Sequence, residues 1–333
     1  MTTLPDLTEH LHVGGRFCYP DWEAIGEIIE EKLPESERSD AWMDVSHQWV
    51  NRIRSGLGGG YQVHETPNFL LVTEAPDHVV RGAKEFLEEA LKRILGSLHG
   101  VTSDDGYGKH VVFIFGKLAD YYDYIDPFYP DGEHPMSGGV CLSGAGYVHF
   151  ALPATDYSSY RTVFVHELTH ACVTHLPIPT WLNEALAMRM EEWVCGTQVF
   201  HLDAEMYGKH EDHWNEHTIQ QFWTGESWNL QGDSFELSYN LAQVLWRKIE
   251  VDIGPPREVL LEFAAKADWE DAGEGAFRAL FDLSLGELVA DFLGEGPWAP
   301  DPTMWPEPGQ AQTKTASSRL PGGLALSRTS TVS

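Results

Sequence analysis

Basic residues are scarce. Only 22 Lys and Arg stand against 51 Asp and Glu, a formal net charge of −29 over 333 residues. Nucleic acids and anionic membranes are bound by neutralising phosphates with Lys and Arg, so this balance argues against both as partners. Cysteine is scarce too, and the four residues Cys18, Cys141, Cys172 and Cys195 contain no CxxC pair. That spacing excludes the common sulfur-ligated zinc sites, and four cysteines in so long a chain are not a disulfide framework; reduced thiols are expected. No apolar run approaches the roughly 18 residues that a membrane helix requires. The first 13 residues carry Pro5, Asp6 and Glu9, with no basic start and no apolar centre, so no signal peptide is read and a cytoplasmic protein is expected.

What is present suits a globular chain. Hydrophobic residues make up 42%, including 12 Trp, enough for a sizeable core. Helices are expected over 21–33 and 37–54, the second from Trp42, Val45, Trp49 and Ile53 at spacings of three and four. The glycines around Gly58 end it. Strands are expected at Phe69–Val72 and Val111–Phe115, with a long helix over 77–98 between them. Residues 117–137, rich in Tyr, Asp and Pro, read as an irregular loop; 138–152 read as two short strands. Further helices are expected over 159–175, 180–195, 236–251, 256–266, 270–281 and 284–293. Strands and a helix followed by mostly helices make an α+β fold. The expected division is a helical N-terminal extension over 1–60, a domain over 61–295 with a polar insertion over 201–231, and a disordered tail over 296–333.

The chemistry concentrates in Val163–Thr174, which contains His166-Glu167-Leu168-Thr169-His170, an HExxH. Residues four apart on a helix lie one turn above each other, so the two imidazoles can converge on one ion. Zinc accepts imidazole nitrogen, and a catalytic site uses three protein ligands and water. Glu167 lies beside the first ligand and is placed to take a proton from the water that the metal acidifies. Such a motif arises by chance in roughly one chain of this composition in fifteen, so context decides. The flanking residues are apolar nearly all round, which expects a buried helix. Buried imidazoles and a carboxylate need partners, and a metal ion supplies one.

A third ligand follows. Pro177 and Pro179 end the first helix, and Thr180, a good N-cap, opens a second: Trp181-Leu182-Asn183-Glu184-Ala185-Leu186-Ala187. Thirteen residues separate Glu184 from His170. A helical hairpin would bring its carboxylate to the imidazoles.

HELTH followed by PTWLNEALA resembles the gluzincin zinc metallopeptidases, in particular the thermolysin-like "peptidase MA" type domains, over about residues 66–295. The resemblance implies a zincin-like fold: a small mixed sheet with the HExxH helix, then a mostly helical half. It implies one zinc per chain held by His166, His170 and Glu184, with Glu167 as catalytic base and a peptide or protein as substrate. A metzincin would place Gly and His where Val173 and Leu176 stand, and an aspzincin needs an Asp ligand that the Gly196-Thr197-Gln198-Val199 segment lacks. Gluzincins also carry a Tyr or His that donates to the oxyanion, and Tyr239 resembles it; a core tyrosine is the plainer alternative. In similar enzymes an edge strand pairs with extended substrate, which residues 138–142 or 146–150 would do here.

Other groups read more plainly. Asn183 and Glu191 are weighed as groups that orient the ligand helix, but ordinary helix polarity is expected. His201, His210, His213 and His217 lie in an acidic stretch; a second metal site is weighed there, but a solvated loop is expected. Cys172 packs as a small apolar residue. Two further functions stand beside the peptidase: a catalytically silent zincin-fold binding or scaffold module, and a hydrolase of a non-peptide amide.

Overall fold

The apolar runs FLLV and VVFIF form the middle of a five-stranded sheet in the computed structural model, which describes residues 7–104, 108–129, 139–144, 147–154, 159–198, 200–230 and 232–306. Its strands are β3 (Gln62–Glu65), β4 (Phe69–Thr73), β5 (His110–Phe115), β6 (Val140–Gly144) and β7 (Tyr147–Pro153), in the order β3-β4-β5-β7-β6. The three inner strands are parallel and the outer two antiparallel to their neighbours. A separate hairpin pairs β1 (Leu11–Gly14) with β2 (Phe17–Pro20). The expected α+β class is what the chain adopts.

The chain divides into two compact units, the first drawn from residues 7–92 and 104–171, the second from 93–103 and 172–306. In the first, one sheet face is covered by residues that precede the sheet. Helices α1 (Trp22–Lys32) and α2 (Glu35–Leu57), with β2, contribute Phe17, Tyr19, Trp22, Trp42 and Trp49 to one apolar cluster with Val72, Phe113 and Tyr147. Trp22 stacks on Tyr147, ring centres 3.6 Å apart, and Trp49 meets Phe113 edge-on at 5.2 Å. Residues 1–60 were expected as a helical extension; of their described part, β2, α1 and α2 contribute to this core cluster. The reason is the sheet itself: its inner strands are apolar on both faces, so both must be covered.

The second sheet face lies under α3 (Asp77–Ser97) and α5 (Ser159–Val173). Phe164 of α5 packs against Phe69, Phe86 and Phe150 at ring-centre distances of 5.8, 6.3 and 5.4 Å. The loop expected over 117–137 is corrected in part: α4 (Leu118–Ile125) occupies it, burying Tyr121, Tyr124 and Ile125 at helical spacing. Residues 130–137 of that expectation lie outside the described residues.

The second unit is helical: α6 (Thr180–Cys195), α7 (Ala204–His213), α8 (Glu216–Thr224), α9 (Asp233–Arg247), α10 (Arg257–Lys266), α11 (Glu274–Phe281) and α12 (Leu285–Leu293). Two expectations are corrected here. Among the described residues of 201–231, expected as a polar, solvated stretch, α7 and α8 account for most, and Ile219, Phe222 and Trp223 of α8 are buried at i, i+3, i+4 spacing. α8 is closed by Gly225 at φ +80°, where an added Cβ would lie 2.5 Å from the Thr180 hydroxyl, so glycine is needed both for the turn and for the close approach to α6. The described part of the expected tail is tied down. Gln220 donates to Ala299 O at 2.9 Å and accepts from Asp301 N–H and the Trp305 indole, both at 2.9 Å. The Trp223 indole donates to Trp298 O at 2.9 Å. Residues 307–333 lie outside the described residues. Among the described residues no helix is long and apolar enough to cross a membrane.

Candidate metal centre

Helix α5 is apolar on almost every side, and it is buried: Phe164, Val165, Leu168, Cys172 and Val173 are all 1% exposed or less. The polar residues of the HExxH are buried with them. His166, Glu167 and His170 are exposed by 0%, 1% and 3%. The i, i+4 spacing sets the two rings side by side, centroids 4.6 Å apart and planes at 80°. Thr169, also buried, is accounted for by a 2.8 Å hydrogen bond from its hydroxyl to Val165 O.

Pro179 is the N-cap of α6, and Thr180 is its first helical residue rather than the cap. A proline there loses no helical hydrogen bond. Trp181, fully buried, anchors the start of the helix by donating to Ala272 O at 2.9 Å. Helix α9 packs along α6. Glu184, one turn in, is 2% exposed. His166, His170 and Glu184 each offer one ligand atom, and these atoms all lie within 4.8 Å of one another. The structure thus brings together the three expected ligands. Two imidazole nitrogens and one carboxylate oxygen form a donor set that fits zinc, and equally cobalt, iron or manganese.

Glu167 is not one of the three. Its Oε2 accepts a 3.0 Å hydrogen bond from the Cys141 backbone N–H, a buried contact with β6. Sequence reasoning missed this residue, since a backbone donor leaves no trace in residue type. Of the two strand segments expected to offer a free edge, β7 is paired on both sides, so 146–150 is excluded. β6 is the outer strand among the described residues, and it covers part of 138–142.

The other residues singled out in the sequence fall elsewhere. Tyr239 is half-buried in α9 with its ring against Phe235 and Trp228, at 5.0 and 6.1 Å, so its described ring contacts are those of a packed tyrosine. Asn183 is half-buried; Glu191 is buried two turns along α6 from Glu184. The His-rich stretch is no metal site among the described residues, where the His166–His170–Glu184 group alone has the needed convergence. His210 is fully buried: its Nδ1 accepts from the Trp214 indole at 2.8 Å, and its Nε2 donates to Asn240 Oδ1 at 2.9 Å. That pattern is a neutral imidazole, and burial lowers its pKa accordingly. His213 closes α7 while His217 opens α8, so their four-residue spacing spans a helix break. His201 is exposed and pairs with Asp203.

Compared with known proteins, the chain matches no family model and no curated relative.

Proposed function

We propose that this protein is a zinc-dependent peptidase of gluzincin type, in which His166, His170 and Glu184 hold the ion and Glu167 is the base. One observation carries the reading: two histidines of an HExxH helix and a glutamate of the following helix, all buried, have ligand atoms within 4.8 Å of one another. The order of elements agrees with a zincin-like plan, a mixed sheet with an antiparallel outer strand, then the motif helix, then a helical half.

The ion, when bound, supplies Lewis acidity, acidifying water and polarising a carbonyl. The chain's own residues do the rest. His166 and His170 bind as neutral imidazoles and Glu184 as a carboxylate. Glu167 takes the proton of the attacking water and passes it to the amine nitrogen as the C–N bond breaks. Its place one residue after His166 keeps it beside the ligands without being one. Tyr239 as oxyanion donor stays part of the proposal, with the resemblance as its support. A reducing, cytoplasmic setting is a further part, in keeping with four cysteines present as thiols.

A second reading has an observation in its favour. All four side chains are 3% exposed or less, and structural metal sites are closed where catalytic ones keep a position open. A binding module with a structural ion would look like this. Three protein ligands rather than four favour the catalytic reading.

The deciding experiment compares wild type with Glu167→Gln on a diverse peptide mixture. Cleavage by the wild type alone, with equal metal in both, supports the peptidase. Equal metal and no cleavage by either supports the structural ion.

A further inference from the structure

We infer that the backbone N–H of Cys141 is the positioning group for Glu167, tethering the base to the outer strand of the sheet. This rests on the peptidase reading. The tether is the 3.0 Å bond from Cys141 N–H to Glu167 Oε2, with both residues at 2% exposure or less.

The register explains why this N–H is available. Cys141 stands opposite Phe150 in the antiparallel β6–β7 pair. Such pairs alternate between residues that bond each other and residues whose N–H and C=O point away from the partner strand. Cys141 N–H goes to Glu167, so Cys141 is of the second kind. β6 lies outermost among the described residues, so that direction is the sheet's edge. Helix α5 covers the neighbouring face, through Phe164 on Phe150. The turn of α5 after Phe164 therefore carries Glu167 to the edge that Cys141 presents.

The consequence is a base with one oxygen held in place by the strand. A glutamate has three rotatable bonds, and ordering it costs conformational entropy. A charge-assisted bond from a backbone donor offsets much of that, and it ties the carboxylate to a rigid strand. General bases act through placement, and an error of about 1 Å costs up to about a hundredfold in rate. Because the donor is backbone, the bond does not depend on the identity of the side chain at 141, which has only to fit its buried place. The bond also occupies the edge position nearest the base, so an extended chain pairing with β6 cannot use Cys141 N–H while Glu167 holds it.

Two measurements test this. The first needs no activity. With 15N-cysteine labelling, the chain gives four cysteine amide resonances, and Cys141→Ala identifies the one that belongs to residue 141. Glu167→Ala should move that resonance upfield while those of Cys18 and Cys195 stay in place. A Cys141 amide that does not move overturns the tether. The second is kinetic. Proline is tolerated on an edge strand where the N–H faces outward, so Cys141→Pro removes the donor and leaves the ladder. The expected result is unchanged metal content, unchanged KM and a kcat lower by about tenfold to a hundredfold. Cys141→Ala, which keeps the N–H, should retain wild-type kcat. A Pro variant with wild-type kcat overturns the positioning role. Should proline disturb the strand, an amide-to-ester replacement at residue 141 removes the same hydrogen without the ring and gives the same two outcomes. A wild type that binds metal but cleaves no peptide overturns the reading beneath the inference, and the amide shift then decides the tether by itself.

Discussion

Two stretches of this chain are rich in histidine, and they end up as different chemistry. Residues 201–217 hold four histidines among acids, and α5 holds two. The pair at 166 and 170 converges with Glu184; the pair at 213 and 217, with the same spacing, does not. The difference is the helix. Val163–Thr174 is apolar and unbroken between its histidines, so the spacing becomes one face. Trp214 and Asn215 separate the other two, and Asn215 caps α8 through a capping box with Thr218. Burial alone does not mark a ligand either. His210 and His149 are buried, as His166 is. Yet His210 is shared between Trp214 and Asn240, and His149 bonds the Tyr124 hydroxyl at 2.8 Å inside an aromatic cluster.

The comparison can be broken most severely at α5. His166→Ala with His170→Ala should take metal from one ion per chain to none, measured by mass spectrometry of the purified protein. The double variant His213→Ala, His217→Ala should leave metal content unchanged. Next in size is Glu167→Gln, expected to keep the metal and lose about a hundredfold to ten-thousandfold in turnover. Glu184→Ala should weaken metal affinity measurably in a chelator competition; unchanged affinity would remove it from the ligand set.

Smaller effects test the structural histidines. His210→Ala strands Asn240 and the Trp214 indole in a buried position, and a loss of about 1–3 kcal/mol is expected in chemical denaturation, with metal content intact. pH supplies the mildest probe. Burial lowers His149 from 6.5 to about 3, and it lowers His110 to about 4. A folded-state pKa below the unfolded value means that the unfolded chain takes up protons first as pH falls. Their contribution is therefore complete above pH 6.5 and is lost as pH drops from there toward 3. Thermal unfolding should show a midpoint falling across that window, with a shallower slope in His149→Gln.

The sequence made the site legible to the extent that the site is local. HELTH and WLNEALA lie on consecutive helices a few residues apart, so spacing and side-chain type suffice to group the three candidate ligands and the candidate base. The inner strands β4, β5 and β7 were legible for the same reason, as short apolar runs. What was lost depends on partners far away in the chain. Trp42, Val45, Trp49 and Ile53 recur at helical spacing, but only the sheet explains that Trp42 and Trp49, with Trp22 of the preceding helix, cover one of its faces. In α8 the apolar Ile219, Phe222 and Trp223 were outweighed by the surrounding His, Asp and Glu, and in α4 the buried tyrosines read as loop composition. The Cys141 N–H could not be read at all, because every residue but proline carries one.

Glu167 and the three ligands make one claim, that an ion sits where His166, His170 and Glu184 meet. X-ray absorption at the zinc edge of the purified wild type, with the Glu184→Ala variant beside it, tests that claim most directly. The account predicts two imidazole ligands and at least one oxygen in the wild type, with the carboxylate contribution lost in the variant. Protein that retains no metal, or a first shell without imidazole, would contradict it.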